Sequence, residues 1–221
     1  MSEPSWLVLF KFGERTHLEE FRKGILHMNP QRYFSKLEND CVRTDRFEGF
    51  DQIHQPKDVT SLRITDKATG TEIMIGPEGL AGPLAIDFSK RSYNLFCMYS
   101  ITSLTISDPL VDRRNLKFGD AFVAVHNARK FTDRVHAAIK SAGLGGESDL
   151  VEYYNAEKHS GDVGPFRKPS IFDYQREYRI AVYPGSADPI RLNVGSLNDI
   201  TTSILSLIDI NSLVKFTLAR P

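Results

Sequence analysis

Cysteine is nearly missing from this chain of 221 residues, which has only Cys41 and Cys97. Neither sits in a CxxC pair, so a disulfide-dense scaffold and a paired-thiol motif are both excluded. Reduced, buried thiols are the expectation. Net charge is missing too: Lys and Arg number 28, Asp and Glu 28. A balanced chain does not hold DNA or an anionic membrane by bulk charge, although local basic patches stay open. Long apolar runs are absent, none approaching the roughly 20 residues that span a bilayer. Met1–Ser5 carries neither a basic segment nor an apolar signal core, so a soluble, cytoplasmic protein is expected. The common catalytic signatures are lacking as well. The six histidines show no HxxxH or HExxH spacing, and there is no GxSxG elbow and no P-loop. No metal site is expected.

What the chain does have is enough apolar material, 41% of residues, to bury one large core. Trp6–Phe12 reads as a strand stopped by Gly13. A short helix is expected next, with Thr16 as cap, Glu19 three residues on, and Gly24 just past its end. Ile25–Met28 reads as a second strand, and residues 31–58 as polar and irregular, with an acidic cluster at Asp45, Glu48 and Asp51. Ser61–Ile75 alternates around Ala68-Thr69-Gly70 as a hairpin does. Ser92–Ser103 is apolar enough for a central strand, and Ala121–His126 is a short one. Asn127 is placed to cap a helix carrying Phe131, Val135, Ala138 and Ile139 on one face. Beyond it a Gly-rich loop over Leu144–Ser148, a strand over Asp149–Asn155 and a loop over His159–Ser170 are expected. Then come strands over Phe172–Tyr183 and Ile190–Val194, a helix over Leu197–Leu207 and a last strand over Leu213–Leu218. The sum is an α+β fold: a single domain, residues 1–221, with a central, mostly antiparallel, strongly twisted sheet and about three short helices.

Three stretches carry chemistry. Gln175 and Glu177 alternate along the expected late strand and so share a face. A carboxylate beside an amide suits a cationic transition state, as when a nicotinamide N-glycosidic bond breaks: the carboxylate opposes the developing charge and the amide holds the acceptor. Glu177 equally suits an ion pair with Arg176, Arg179 or a cross-strand lysine. Ser100 and Thr102 share a face at the end of an apolar strand, where their hydroxyls reach a ligand or simply finish the strand. Lys11 and Gly13 end the first strand, the lysine suited to a phosphate and the glycine to close approach or to a turn.

In this order the three stretches resemble the ADP-ribosyltransferase superfamily, which has a basic residue on its first strand, a Ser/Thr triplet, and a late Q/E-x-E strand. The matching residues are Lys11, where Arg or His is usual, then Ser100-Ile101-Thr102-Ser103, then Gln175-Arg176-Glu177. The resemblance implies Glu177 and Gln175 as catalytic residues, Lys11, Gly13, Ser100 and Thr102 as binding residues, NAD as the cofactor-like donor, and a macromolecular acceptor. A second resemblance covers more of the chain. Leu9-Phe10-Lys11-Phe12, Gly24–Asn29, Tyr33-Phe34, Glu38, Asp45, Glu48-Gly49, Phe96-Cys97 and Tyr174–Arg179 look like the DUF2971-like bacterial and phage family. It implies a common fold and an association with mobile elements or phage conflict, and supplies no chemistry. Two further classes stay open: a non-enzymatic phage or bacterial protein that binds a host or defence complex, and a nuclease using Asp45, Glu48 and Glu177 with a divalent metal.

Overall fold

Residues Leu7–Gly13 form the expected first strand, β1, which buries Leu9 on one face and Phe10 on the other. The computed structural model describes residues 7–35, 47, 49–87, 92–106 and 108–217. The expected acidic residues Asp45 and Glu48, and Glu38 and Cys41, lie outside the described residues. Helix α1, Arg15–Arg22, follows β1 and buries Leu18 and Phe21. It starts ahead of Thr16, with Glu14 in the cap position and no side-chain cap bond. Gly24 ends it at φ +92°, pressed against the carbonyl of Gly195, where no side chain fits.

Strand β2 is Ile25–Pro30, helix α2 Gln31–Ser35 and strand β3 Gln52–His54. The hairpin forms as expected from β4, Leu62–Thr65, and β5, Glu72–Ile75. Strand β6, Leu84–Ile86, pairs with β3. Strand β7, Asn94–Thr102, and strand β8, Ala121–Val125, complete the middle of the sheet. Helix α3, Ala128–Ser141, is capped by Asn127, whose side chain accepts from the Lys130 amide at 2.9 Å. Its buried Phe131, Val135 and Ile139 recur every four residues, as one face of a helix requires.

After α3 the chain departs from the sequence expectation in five places. Gly145–Leu150 is a strand, β9, rather than a loop. It pairs antiparallel with the late strand, and Ile139 of α3 packs closely over its Gly146. The expected loop over 159–170 contains short strands. Strand β10, Glu152–Tyr154, is followed by β11, Gly161–Asp162, and β12, Arg167–Pro169, and β12 runs parallel to β10. The late strand, β13, begins only at Glu177; Ser170–Gln175 is a 3₁₀ turn, closed by Arg176 at φ +40°. Strand β14 is Ile190–Asn193. The expected helix over 197–207 is not formed. Thr201 bridges to Val125, and Leu205–Ser206 makes strand β15 against β8, in keeping with the β-branched Ile200, Thr201, Thr202 and Ile204. The last element is helix α4, Ile210–Leu213, and no strand follows it within the described residues.

The main sheet runs β14-β2-β7-β1-β8-β15, with β13 on the other edge of β7 and β9 beyond it, and every pairing in it is antiparallel. The fold is a single α+β domain around this twisted sheet. Leu9, Phe96, Met98, Val123, Tyr178 and Ile180 face α1 and α3. Phe10, Tyr99, Ile101 and Phe122 face a second cluster with Val111, Leu207 and Ile210. Burial on both faces makes β1, β7 and β13 near-continuous apolar runs. One feature of the pairing positions the site. β1 meets β7 only from Tyr99 onward, and β2 meets it only at Asn94 and Leu95. Between them β7 has a strand partner on the β13 side alone, so β1 and β2 diverge like the arms of a fork. Among the described residues no helix is long and apolar enough to cross a membrane.

Candidate functional site

A cavity of about 780 Å³ occupies the fork. Lys11 and Gly13 of β1, Leu95–Tyr99 of β7, Gln175 from the 3₁₀ turn, and Glu177 and Arg179 of β13 line it. At its split edge the carbonyl of Cys97 takes no strand partner; instead it accepts from Lys11 Nζ at 2.7 Å. The same ammonium lies 4.3 Å from the centre of the Phe96 ring. The expected close approach at Gly13 is made by protein, since the backbone of Gly119, at φ +155°, packs against it.

The floor is a buried polar network. Glu177 is 9% exposed and Gln175 3%. Lys168 Nζ donates to Gln175 Oε1 at 2.7 Å and to Glu177 Oε1 at 2.8 Å. Arg179 Nε donates to Glu177 Oε2 at 2.6 Å. Burial alone pushes the Glu177 carboxyl up, but Arg179 and Lys168 outweigh it and hold the group well below the usual carboxylate range. The Glu177 amide donates to the Tyr153 hydroxyl at 2.9 Å. Burial pushes the Cys97 thiol, beside this network, up to about 12, and the Glu177 charge adds to that shift.

The segment before Glu177 is pinned by its neighbours. Asn115 Nδ2 donates to the Tyr174 carbonyl at 2.9 Å, and the Arg114 guanidinium stacks 3.8 Å from the Tyr174 ring centre. Arg176 Nη1 donates to the carbonyls of Thr105 at 2.7 Å and Leu110 at 3.2 Å. Ser100 belongs to this support and not to the cavity lining: its hydroxyl and its amide both donate to the Arg176 carbonyl, at 2.7 and 2.8 Å. The Thr102 hydroxyl pairs with that of Thr105 at 3.1 Å and accepts from the Leu104 amide, closing a local turn, and it too is off the cavity. Strand position alone placed these hydroxyls beside a ligand. The left-handed Arg176 brings a carbonyl to Ser100 first.

At the mouth, Arg191 of β14 and Glu20 of α1 form an ion pair at 2.8 Å, and His17, His27 and Lys117 also line the cavity. The aromatic walls include Phe12, stacked on Tyr99 at 5.2 Å, and the Tyr33–Phe34 pair. Among the described residues no cluster of His, Cys, Asp and Glu is set to hold a metal.

No family model, no curated protein and no solved structure matches the chain. The site must therefore be read from its own geometry. Four of the six residues singled out in the sequence, Lys11, Gly13, Gln175 and Glu177, come together in one cavity; Ser100 braces its floor from behind, and Thr102 closes a turn away from it. Sequence reasoning missed Lys168, Lys117 and Arg191. Lys168 sits in an irregular stretch with no periodicity, and nothing local marks it as a partner of Glu177.

Proposed function

We propose that the cleft binds an NAD-type dinucleotide as substrate and that the protein transfers ADP-ribose from it to a macromolecule. One observation carries the reading: residues from opposite ends of the chain, Lys11 with Gly13 and Gln175 with Glu177, line a single cavity. Its volume of about 780 Å³ falls within the roughly 300–1,000 Å³ of small-molecule sites. Lys11, Lys117 and Arg191 supply cations for a diphosphate, and Phe12, Tyr33 and Phe34 supply flat apolar faces for rings. Glu177, its charge matched by Lys168 and Arg179, accepts a hydrogen bond from a ribose hydroxyl and so orients the sugar as its C1′–N bond breaks. The bonding pair leaves with nicotinamide, which departs neutral. A nucleophile of the acceptor then bonds to C1′ and releases its proton to solvent. Gln175 holds that acceptor. The test is nicotinamide release from NAD, followed by chromatography. Wild type is expected to turn over, and Glu177→Ala to lose about 10²–10³-fold; equal rates discard the transfer.

A second reading, a protein-binding module without turnover, is favoured by the hairpin. Its opposed pairs Leu62–Ile75 and Ile64–Ile73 set four aliphatic side chains on one face, with Ile64 49% and Ile73 56% exposed. Such a face fits a host or defence protein, and a pull-down that recovers no stoichiometric partner counts against it.

A further inference from the structure

We infer that Lys168 is a positioning residue of the cleft, fixing which end of its amide Gln175 presents and where the Glu177 carboxylate stands. The inference rests on the reading of the cleft as an NAD site. Lys168 is 5% exposed, and its ammonium bridges Gln175 Oε1 and Glu177 Oε1 at 2.7 and 2.8 Å, with the Phe172 ring centre 4.8 Å away. An ammonium only donates. Gln175 must therefore turn its oxygen to Lys168 and its Nε2 away, where that nitrogen donates to the Tyr174 hydroxyl at 3.2 Å. Without Lys168 the two ends of the amide are nearly isosteric and nothing in this bridge selects between them.

Backbone geometry does not tie the two residues together, because Gln175 closes a 3₁₀ turn, Glu177 opens β13, and the left-handed Arg176 stands between them. The lysine does. Its own place is set independently by β12, which runs parallel to β10 rather than along β13. Glu177 thus has one cation on each oxygen, Lys168 on Oε1 and Arg179 on Oε2. A carboxylate has about four acceptor positions, so each oxygen keeps one for a substrate hydroxyl.

The test is steady-state NAD turnover by Lys168→Met, Gln175→Ala, the double variant and Lys168→Arg, with circular dichroism to compare folds. Lys168→Met is expected to lower kcat about 10²-fold with little change in KM, the signature of lost positioning. The double variant should be no slower than Lys168→Met, and Lys168→Arg should recover about tenfold, since it restores a cation with several donors. The acid limb of the Lys168→Met pH profile should move to higher pH. Additive losses, or a kcat equal to wild type, overturn the proposal. If Lys168→Met does not fold, the Lys168→Arg and Gln175→Ala pair carries the same comparison. If wild type does not turn over NAD, the NAD reading fails by itself, and Lys168 is judged by nuclear magnetic resonance. The Gln175 side-chain amide should then give one fixed pair of proton signals in wild type and lose it in Lys168→Met. A pair unchanged by the substitution overturns the proposal.

Discussion

Replacing Glu177 by Gln keeps the shape of the side chain and removes its charge, leaving Lys168 and Arg179 facing an amide in a buried site. Their side chains are only 6% and 2% exposed, so water does not compensate. Removing one partner of a buried pair costs about 3–5 kcal/mol, because an uncompensated charge stays behind. For a domain of this size roughly 2–4 °C accompanies each kcal/mol, so Glu177→Gln should melt about 6–20 °C below wild type at pH 7. The pH dependence has a definite sign. The Glu177 carboxyl is held below its ordinary range when folded. Its stabilisation is therefore complete above the unfolded-state pKa and is lost as pH falls toward the folded one. The gap between variant and wild type should stay constant from pH 8 to 5, then close by about 2 kcal/mol on going down to pH 3, at about 1.4 kcal/mol per unit below pH 4.5. Thermal unfolding followed by circular dichroism, at matched salt from pH 3 to 8, measures both. A gap under about 1 kcal/mol at pH 7, or one that widens on acidification, refutes the reasoning.

Three more expectations follow from the same geometry. Cys97 is only partly buried and lines the cavity, but with its thiol pushed up to about 12 it should react with Ellman's reagent at pH 8, in a Cys41→Ser background, at least about tenfold more slowly when native than when unfolded; equal rates contradict this. Ser100→Ala should cost about 1 kcal/mol through the lost bond to the Arg176 carbonyl and leave affinity for NAD unchanged, as unfolding and calorimetric titration would show; a weakened affinity would return Ser100 to the binding residues. Gly24→Ala should destabilise by more than about 1 kcal/mol in urea unfolding, since a Cβ at φ +92° meets the Gly195 carbonyl; a stability equal to wild type contradicts the close approach of β2 and β14 there.

Local pattern made β1, β7, the hairpin and α3 legible, because strand alternation and the i, i+4 spacing of Phe131, Val135 and Ile139 are properties of short segments. The elements that differed depend on distant partners. Gly145–Leu150 is a strand because β13 offers an edge, with Ile139 of α3 packed close over Gly146. Within residues 197–207, Thr201 and Leu205–Ser206 are drawn into extended structure by β8. The candidate site shows both sides of this. Gln175 and Glu177 were expected on one face of a strand; they do line one cavity, but a left-handed residue and a tight turn bring them there rather than alternation. The order of Lys11 and Glu177 along the chain was readable. Lys168 was not, since its role depends on a two-stranded parallel pairing that no local pattern announces. Ser100 and Thr102 were read from strand position, which says nothing about the carbonyl that Arg176 turns toward Ser100.

Backbone amide spectra recorded during a titration with NAD test the central claim most directly. Binding in the fork predicts shifts centred on residues 11–13, 33–34, 95–99, 117, 175, 177, 179 and 191, which line the cavity, and their loss in Lys11→Met. Unchanged spectra at millimolar NAD, or shifts centred on the hairpin over residues 62–75, would contradict it.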